Sequence, residues 1–437
     1  MSLVTWTIKL YDLNGDPILT VPIDGSSATE QIKNARNKSL QFNLNGIDQF
    51  SFDLLLSDPV AAKIERLKTT VAVWRTISDP VAGVSYTDTN PVFTGICAYT
   101  NKQGKANTMS VTAYSALWRL QSHFHILNHY LDINPDTSNP YTVSELMWKL
   151  IDLINNAFGV VSFTGIDLGT FSWGFPDEPS ISPFFVPKGS NTWSNIFDTI
   201  LTTSTNGVDI IPEYVHTDGN PTLMLFSTAE NRGSDKTATT KFNFHTDPGG
   251  STPPNCDDMS EENAPQPSTG GQDAGFANYV WVVGQGGVNS GKVALAQNSS
   301  SVSGSNGFNE LGIYMALIDQ NSLKTFAQVS EQAPTELLIR NIPKTNYSVD
   351  LAPGGRIYYD VDYTLGDVVA LNADKGALQL DNVPQRIYNV TLNLSENNLE
   401  RSIMTLSSDF GAIVAGTPEV LITGSPYQDS TLSATIT

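Results

Sequence analysis

Alternation of apolar and polar residues at period two is the feature that most constrains how this chain can fold. Val4, Trp6, Ile8 and Leu10 alternate with Thr5, Thr7 and Lys9, which gives a strand one face for a core and one for water. A turn cluster at residues 12–17 follows, and residues 18–21 are expected to return beside the first strand. Leu40, Phe42 and Leu44 then alternate up to Asn45-Gly46, after which Phe50, Phe52 and Leu54 alternate away. Asn-Gly tolerates the positive φ angles of tight turns, so this is the clearest hairpin in the chain, with residues 47–49 lengthening its loop. Further strands are expected at 71–77, 92–100 and 108–114, and so many short strands close together suggest a small barrel or sandwich.

The period changes near Tyr141. Thr142 and Glu145 make a capping-box pattern ahead of Leu146, Met147, Leu150, Leu153, Ile154 and Phe158, which predicts a helix up to Gly159. A second helix is predicted over 192–203 from the stripe Trp193, Ile196, Phe197, Ile200 and Leu201. Residues 171–187, aromatic and proline-rich, read as ordered loop. Strands resume at 208–214 and 222–227. Residues 245–275, with the acidic run Asp257, Asp258, Glu261 and Glu262, read as a long exposed loop, and residues 299–307 as a second one. A short helix at 322–332 is expected to lead through Pro334 into residues 336–342. A second antiparallel cluster follows at 357–363, 367–371, 386–394 and 401–407, and residues from Gly416 onward read as an arm or frayed end.

The fold class expected is therefore mainly β with α+β insertions in a multi-domain chain. Its units are a first β domain over 1–135, a helical α/β segment over 136–205, strands and long loops over 206–335 that contribute to a second β domain over 336–415, and an arm over 416–437. The length of 437 residues fits about three domains.

Charged residues make up only 16%, and 44 acidic against 24 basic side chains leave a formal charge of -20. Such a surface repels phosphate backbones, which argues against nucleic-acid binding as the main role. No basic stretch followed by an apolar core opens the chain, and no run approaches 18 apolar residues, so neither a secretory signal nor a membrane segment is expected. Cys97 and Cys256 are too few for a disulfide framework and match no metal-knuckle spacing.

Candidate chemistry is sparse. Asp12, Asn14 and Asp16 hold the first, third and fifth places of a calcium-loop pattern, but Pro17 stands where Gly is required and Ile23 where Glu is, so an ordinary turn is favoured. Asp360, Asp362 and Asp367 form a second acidic group, favoured as a solvated strand face. His123, His125 and His129 are candidate metal ligands, but no Cys or Glu stands at a matching offset, and packing or hydrogen-bonding roles are favoured. Gly284-Gln285-Gly286-Gly287 lacks the Gly-Lys-Ser/Thr ending of a phosphate loop and reads as a turn. Neither a G-x-S-x-G elbow nor an H-E-x-x-H motif occurs, and Glu261 and Glu262 sit in an expected loop that would hold paired carboxylates poorly. No catalytic residue, cofactor or resident metal is assigned, and the chain is expected not to be an enzyme.

Several short passages together carry a resemblance. They are Arg36-Asn37-Lys38-Ser39-Leu40-Gln41-Phe42, then Ser51-Phe52-Asp53-Leu54, then Pro91-Val92-Phe93-Thr94-Gly95-Ile96. Ser110-Val111-Thr112-Ala113-Tyr114 and Leu117-Trp118-Arg119-Leu120 follow. Near the other end stand Tyr363-Thr364-Leu365-Gly366-Asp367-Val368-Val369, Arg386-Ile387, Val390-Thr391-Leu392 and Thr405-Leu406. In this order the chain resembles the tail hub, or baseplate hub, minor tail proteins of long non-contractile-tailed bacteriophages, especially those of actinobacterial hosts. The positions that match the family's structural motifs are Phe93, Gly95, Ile96, Gly366, Asp367, Val368 and Arg386.

The resemblance implies two β-barrel domains of the tail-tube type with α/β segments between them. It implies a homotrimer whose six barrels form a pseudo-sixfold ring, adapting a sixfold tail tube to a threefold tip. Its implied partners are the tail tube and distal tail proteins, the tape measure protein and downstream tip or fibre proteins, and its place is the phage tail tip in the virion, assembled in the host cytoplasm. Genomic DNA would pass through the ring without specific binding, a role that a net-negative wall suits. The second barrel is expected to recruit the strands around 208–227. Two other readings stay open: a carbohydrate- or host-receptor-binding tail protein with Trp173 or Trp281 as stacking platforms, and a tail-borne glycoside hydrolase.

Overall fold

A computed structural model describes residues 3–12, 14–19, 31–79, 84–118, 208–230, 232–244, 254–263, 276–298, 314–319, 323–340, 345–353 and 357–408, together with short segments at 125–126, 141–142, 145, 167–172, 180–181, 191–192, 420–423 and 435–436. In chain order the first strands are β1 (Leu3–Tyr11), β2 (Gln31–Ile32), β3 (Arg36–Asn43), β4 (Gln49–Leu55), β5 (Thr70–Asp79), β6 (Val84–Thr87), β7 (Phe93–Gln103) and β8 (Thr108–Tyr114). Short strands β9 (His125–Ile126), β10 (Tyr141–Thr142), β11 (Asp167–Ser172), β12 (Ser180–Ile181) and β13 (Asn191–Thr192) precede the long hairpin β14 (Val208–Thr217) and β15 (Asn220–Glu230). Then come β16 (Lys241–Phe244), β17 (Cys256–Asn263), β18 (Tyr279–Val283), β19 (Val293–Gln297), β20 (Met315–Asp319) and helix α1 (Phe326–Arg340). The last strands are β21 (Thr345–Leu351), β22 (Val368–Lys375), β23 (Leu378–Leu394), β24 (Glu400–Ser407), β25 (Val420–Thr423) and β26 (Thr435–Ile436).

Fourteen strands form one sheet, in the order β17-β21-β24-β23-β3-β4-β8-β7-β5-β1-β2, with β6 on β5, β22 on β23 and β16 on β22. The mainly β expectation holds. The two rolls are not separate bodies, because β3 pairs with β23 in register, Leu40 opposite Leu392 and Phe42 opposite Val390. Alternation explains the register: Leu40, Phe42, Phe50, Phe52, Val390 and Leu392 all turn to one side and are buried, and a slip of one residue would expose them. A single core cluster runs through both halves. At its centre Phe50 stands 5.2 Å from Phe52, 5.9 Å from Phe93 and 6.1 Å from Trp6, measured between ring centroids.

Among the described residues the ladder does not close into a ring. In the C-terminal half the gap between β16 and β17 is spanned by one side chain. Asn255 donates its backbone N–H to the Asn243 carbonyl (3.1 Å) and its amide to the Lys241 carbonyl (2.9 Å), while its Oδ1 accepts from the Asn243 N–H (2.8 Å). A buried side-chain amide thus supplies the bonds that a strand neighbour would.

Several expectations are corrected. The acidic run is no loop: Cys256–Asn263 pairs antiparallel with β21, because Cys256 and Met259 supply buried contacts while Asp257, Asp258 and Glu261 stay exposed. Strands β14 and β15 do not extend the second roll but pair with each other and with β11 in a three-stranded sheet, and β16 takes the place beside β22 in parallel. Helix α1 runs on past 332 and through Pro334 to Arg340, and residues 341–342 lie outside the described residues. Val329, Ala333 and Leu337, one turn apart, bury against β18 and β19, and that packing outweighs the bond Pro334 cannot donate. Residues 357–363 make a turn with an isolated bridge between Tyr359 and Tyr363. β25 and β26, in the expected arm, extend the sheet β20-β18-β19-β25-β26. The capping box does form, with Thr142 N–H on the Glu145 carboxylate (2.9 Å) and Glu145 N–H on Thr142 Oγ1 (3.2 Å). The helical stripes it was expected to open, and the one over 192–203, lie outside the described residues.

If Asn255 closes the second roll, Asn255→Ala strands the buried Asn243 N–H and should lower unfolding free energy by about 2 kcal/mol or more. Urea denaturation reads this directly, and a loss under about 0.5 kcal/mol, the size of an ordinary surface change, would refute it.

Candidate functional site

The resemblance positions at the C-terminal end converge on one buried joint. Gly366 has φ +90 and Gly233 φ +100, and a Cβ on either would collide with backbone of the other's segment, since the Arg232 carbonyl lies against Gly366. This close backbone approach requires glycine. It places Ser234 against Asp367, whose Oδ1 accepts from Ser234 N–H (2.6 Å) and whose Oδ2 accepts from Thr364 N–H (2.7 Å). Val368 N–H then bonds the Ser234 carbonyl (3.0 Å), which starts β22.

Arg386 completes the joint from β23. Its Nη2 lies 2.5 Å from Asp209 Oδ2 and 3.1 Å from the Arg232 carbonyl, and its Nε donates to the Gly366 carbonyl (3.2 Å). Asp209, at the start of β14, also accepts from Arg232 N–H (2.5 Å) and from Asn45 Nδ2 (2.9 Å). Asn45 returns the bond by accepting Ile210 N–H (2.8 Å). The side chains of Arg386 and Asp209 are 5% and 3% exposed. One buried ion pair therefore ties the Asn-Gly hairpin tip of the N-terminal half, the β14–β15 hairpin and the Gly-Asp-Val turn of the C-terminal half.

A second buried charge sits where β5 meets the C-terminal turns. Arg75, with no side-chain exposure, lies 3.3 Å from Glu400 and 4.0 Å from Asp360, and also donates to the Tyr359 carbonyl. Trp6 Nε1 donates to the other Glu400 oxygen (2.8 Å), and Tyr359 stacks on Phe42 with centroids 4.9 Å apart. Beside this cluster a polar cavity of about 550 Å³ separates the N-terminal roll from β14. Asp48, Asp88, Asp360, Arg232 and His216 line it. Burial pushes the Asp360 carboxyl up to about 6, against the pull of Arg75, and pushes Asp48 up to about 6, against the Asn43 N–H and Arg232. Burial also lowers the His216 pKa, and its Nε2 lies 2.9 Å from Thr94 Oγ1. The carboxylates are held by guanidinium groups and backbone donors, an arrangement that fixes elements in place.

The N-terminal resemblance positions are packing groups. Phe93 and Ile96 are buried, and at Gly95 a Cβ would collide with the Tyr114 carbonyl and come within 2.6 Å of the Phe93 ring. The other candidates do not converge. Asp12 caps its own turn, accepting from Asn14 and Asp16 N–H. Asp360, Asp362 and Asp367 are not a solvated strand face: Asp360 turns toward Arg75, Asp362 accepts Tyr358 N–H (2.7 Å) and Asp367 belongs to the joint. The Gly284–287 run is the expected turn between β18 and β19. Trp281 is half-buried, edge-on to Tyr279, and Trp173, His123 and His129 lie outside the described residues. His125 is described only as a strand residue paired with Thr192. No metal-binding group of His, Cys, Asp and Glu occurs among the described residues. Cys97 and Cys256 are both buried, and burial raises both thiols, Cys97 to about 12. Sequence reasoning missed Arg75, Asp209 and Glu400, since single charged residues in strands carry no local signal of burial.

No protein-family model matches the chain, and no curated protein matches it. Solved structures do. A tail protein from Neisseria meningitidis MC58 superposes with a TM-score of 0.52 at 11% identity, covering 93% of this chain and 98% of that one. The prophage MuSo2 43 kDa tail protein from Shewanella oneidensis covers 92% and 98% at 12% identity, TM-score 0.46. Prophage tail protein gp18 from Listeria monocytogenes EGD-e covers 92% and 94% at 11% identity, TM-score 0.46. All three are tail proteins, and this chain shares the fold of the first of them.

Two outcomes follow from the buried charges. Asp209→Asn leaves Arg386 buried without its counter-charge and should cost about 3–5 kcal/mol, whereas Asp350→Asn, which breaks a pair whose Arg401 is 48% exposed, should cost under about 1 kcal/mol. Equal costs in urea titrations would refute the joint's importance. Asp360 has a folded pKa above its unfolded value, so its ionisation opposes folding, and the penalty fades as pH falls from about 6 toward 3.8. Asp360→Asn keeps the positive φ of 62 that Asn tolerates. The wild type should gain stability relative to that variant across this window, by up to about 3 kcal/mol, and a pH-independent difference between the two melting curves would sink the assignment.

Proposed function

We propose that this chain is a structural protein of a phage tail tip, a hub of the kind found in long non-contractile tails such as those of actinobacterial phages. Three copies form a pseudo-sixfold ring that adapts a sixfold tail tube to a threefold tip. The observation that carries this reading is the single fourteen-stranded sheet in which two rolls are fused side by side at the β3–β23 seam around one core. Two fused rolls per chain are what a threefold assembly needs to present six similar faces. The fold likeness to the Neisseria meningitidis tail protein, which extends over nearly the whole of both chains, supports the same reading.

The work of such a chain is fitting, and its chemistry suits that. Charged residues are sparse for a chain of this size, so faces between copies desolvate at lower cost. The net charge of -20 would keep a DNA strand from sticking to the channel wall. The neighbours in such a tip are the tail tube and distal tail proteins, the tape measure protein and the downstream tip or fibre proteins.

Native mass measurement of the purified chain tests the reading. A species of three times the 47.3 kDa chain mass, seen as a threefold collar at the end of the tube in images of particles, is the expected result. A chain that stays monomeric at every concentration, and is found away from the tail axis in particles, would overturn it.

A further inference from the structure

With 44 acidic and 24 basic residues, a base in this chain has nearly two acids available to it. Among the described residues Lys33, Arg36 and Lys38 form no ion pair, and what sets them apart from other such bases is that they stand together. All three line one cleft of about 630 Å³ between the segment leading into β3 and the turn joining β23 to β24. The segment is held firmly: Asn34 donates to Asp58 (3.2 Å), and Asn37, at φ 47, donates to Asp53 (2.8 Å). Lys33 and Arg36 are exposed and Lys38 is half-buried, where burial lowers its pKa with no anion to offset it. Leu55 and the buried Leu394 give the cleft an apolar floor, and its single lining carboxylate, Glu396, bonds to none of the three cations. Asp53, opposite Arg36 in the β3–β4 pairing, and Asp58 are taken up by Asn37 and Asn34, so three like charges share one cleft with no carboxylate bonded to them among the described residues, and an added anion would relieve their repulsion.

The apolar floor and the net negative charge of the chain suit a short acidic peptide better than a long polyphosphate, which the rest of the surface repels. Such a peptide is present in the chain itself. Strand β17 ends the sheet path and carries exposed Asp257, Asp258 and Glu261. Its nearby base, Arg401, is already committed to Asp350. No β17 residue lines the cleft of its own chain, and β21, β24 and β23 stand between β17 and β3, about 19 Å along the sheet at the usual strand spacing.

We propose that the Lys33, Arg36 and Lys38 cleft receives the acidic edge strand β17 of a second copy of this chain. The contact joins two different patches, so it is head-to-tail and repeats around a closed ring. It rests on the ring reading above and supplies that ring's charge-complementary contact.

Zero-length carbodiimide cross-linking of a mixture of isotopically light and heavy wild-type chains tests it without any substitution. Links of Lys33 or Lys38 to Asp257, Asp258 or Glu261 that join a light to a heavy chain are expected. Reversing the cleft (K33E, R36E and K38E together) or the strand (D257K, D258K and E261K together) should each weaken self-association about tenfold or more, and the chain carrying all six should regain most of it. An associated wild-type chain whose cross-links all lie elsewhere, or a six-fold variant as weak as either triple, overturns the docking and leaves the ring standing. A wild-type chain that never associates overturns both.

Discussion

The pairing of β3 with β23 is the constraint on which the rest of the structure depends. It joins residues 38–43 to residues 389–394, across nearly the whole length of the chain. Closing so long a loop is entropically unfavourable and slow, and no local signal directs it. It is held because each partner strand already belongs to a hairpin of its own, β3 with β4 and β23 with β24. Two preformed faces, Leu40 and Phe42 on one, Val390 and Leu392 on the other, then merge their apolar sides. Asn389 seals the seam's polar side by donating to Asn43 Oδ1 (2.5 Å).

The buried charges follow from that seam. Once β3 lies beside β23, the tip of the β3–β4 hairpin stands over Arg386, and Asp209 fills the space between them. The same logic places Arg75, on the far side of the N-terminal roll, against Glu400 on β24. Buried ion pairs give back little net stability compared with apolar packing. Their effect here is to discriminate: an arrangement of the halves that misplaced Asp209 or Glu400 would leave an arginine unpaired in the core. The aromatic cluster supplies cohesion, and the arginines select one way of assembling it.

How much of this was legible in the sequence depended on whether the signal was local. Val4 through Leu10, the Asn45-Gly46 turn and the 108–114 strand read correctly because alternation and turn chemistry act within a few residues. Gly366 and Asp367 could be singled out, but what they touch could not: their partners Arg232 and Ser234 lie well over a hundred residues away. The acidic run was misread because Asp and Glu disfavour strands, yet an edge strand tolerates them on its wet face and gains protection from unwanted pairing. The helix expected over 322–332 runs on to Arg340 because a helix packed on a sheet can absorb the bond Pro334 cannot donate when Val329, Ala333 and Leu337 hold it down.

Burial also reshapes the charge that the surface presents. Arg75, Arg340 and Arg386 are withdrawn into the interior with Glu400, Glu336 and Asp209 as their counter-charges. Each such pair removes one base and one acid and leaves the acid excess unchanged, whereas the burial of Asp58, Asp79, Asp88 and Asp367 takes part of that excess inside as well. Against so acidic an exterior, any exposed cation is attracted to a carboxylate wherever geometry allows. Beside Lys33, Arg36 and Lys38 the nearby carboxylates Asp53 and Asp58 accept from Asn37 and Asn34 instead, and the order of strands keeps the acids of β17 away from β3 within one chain.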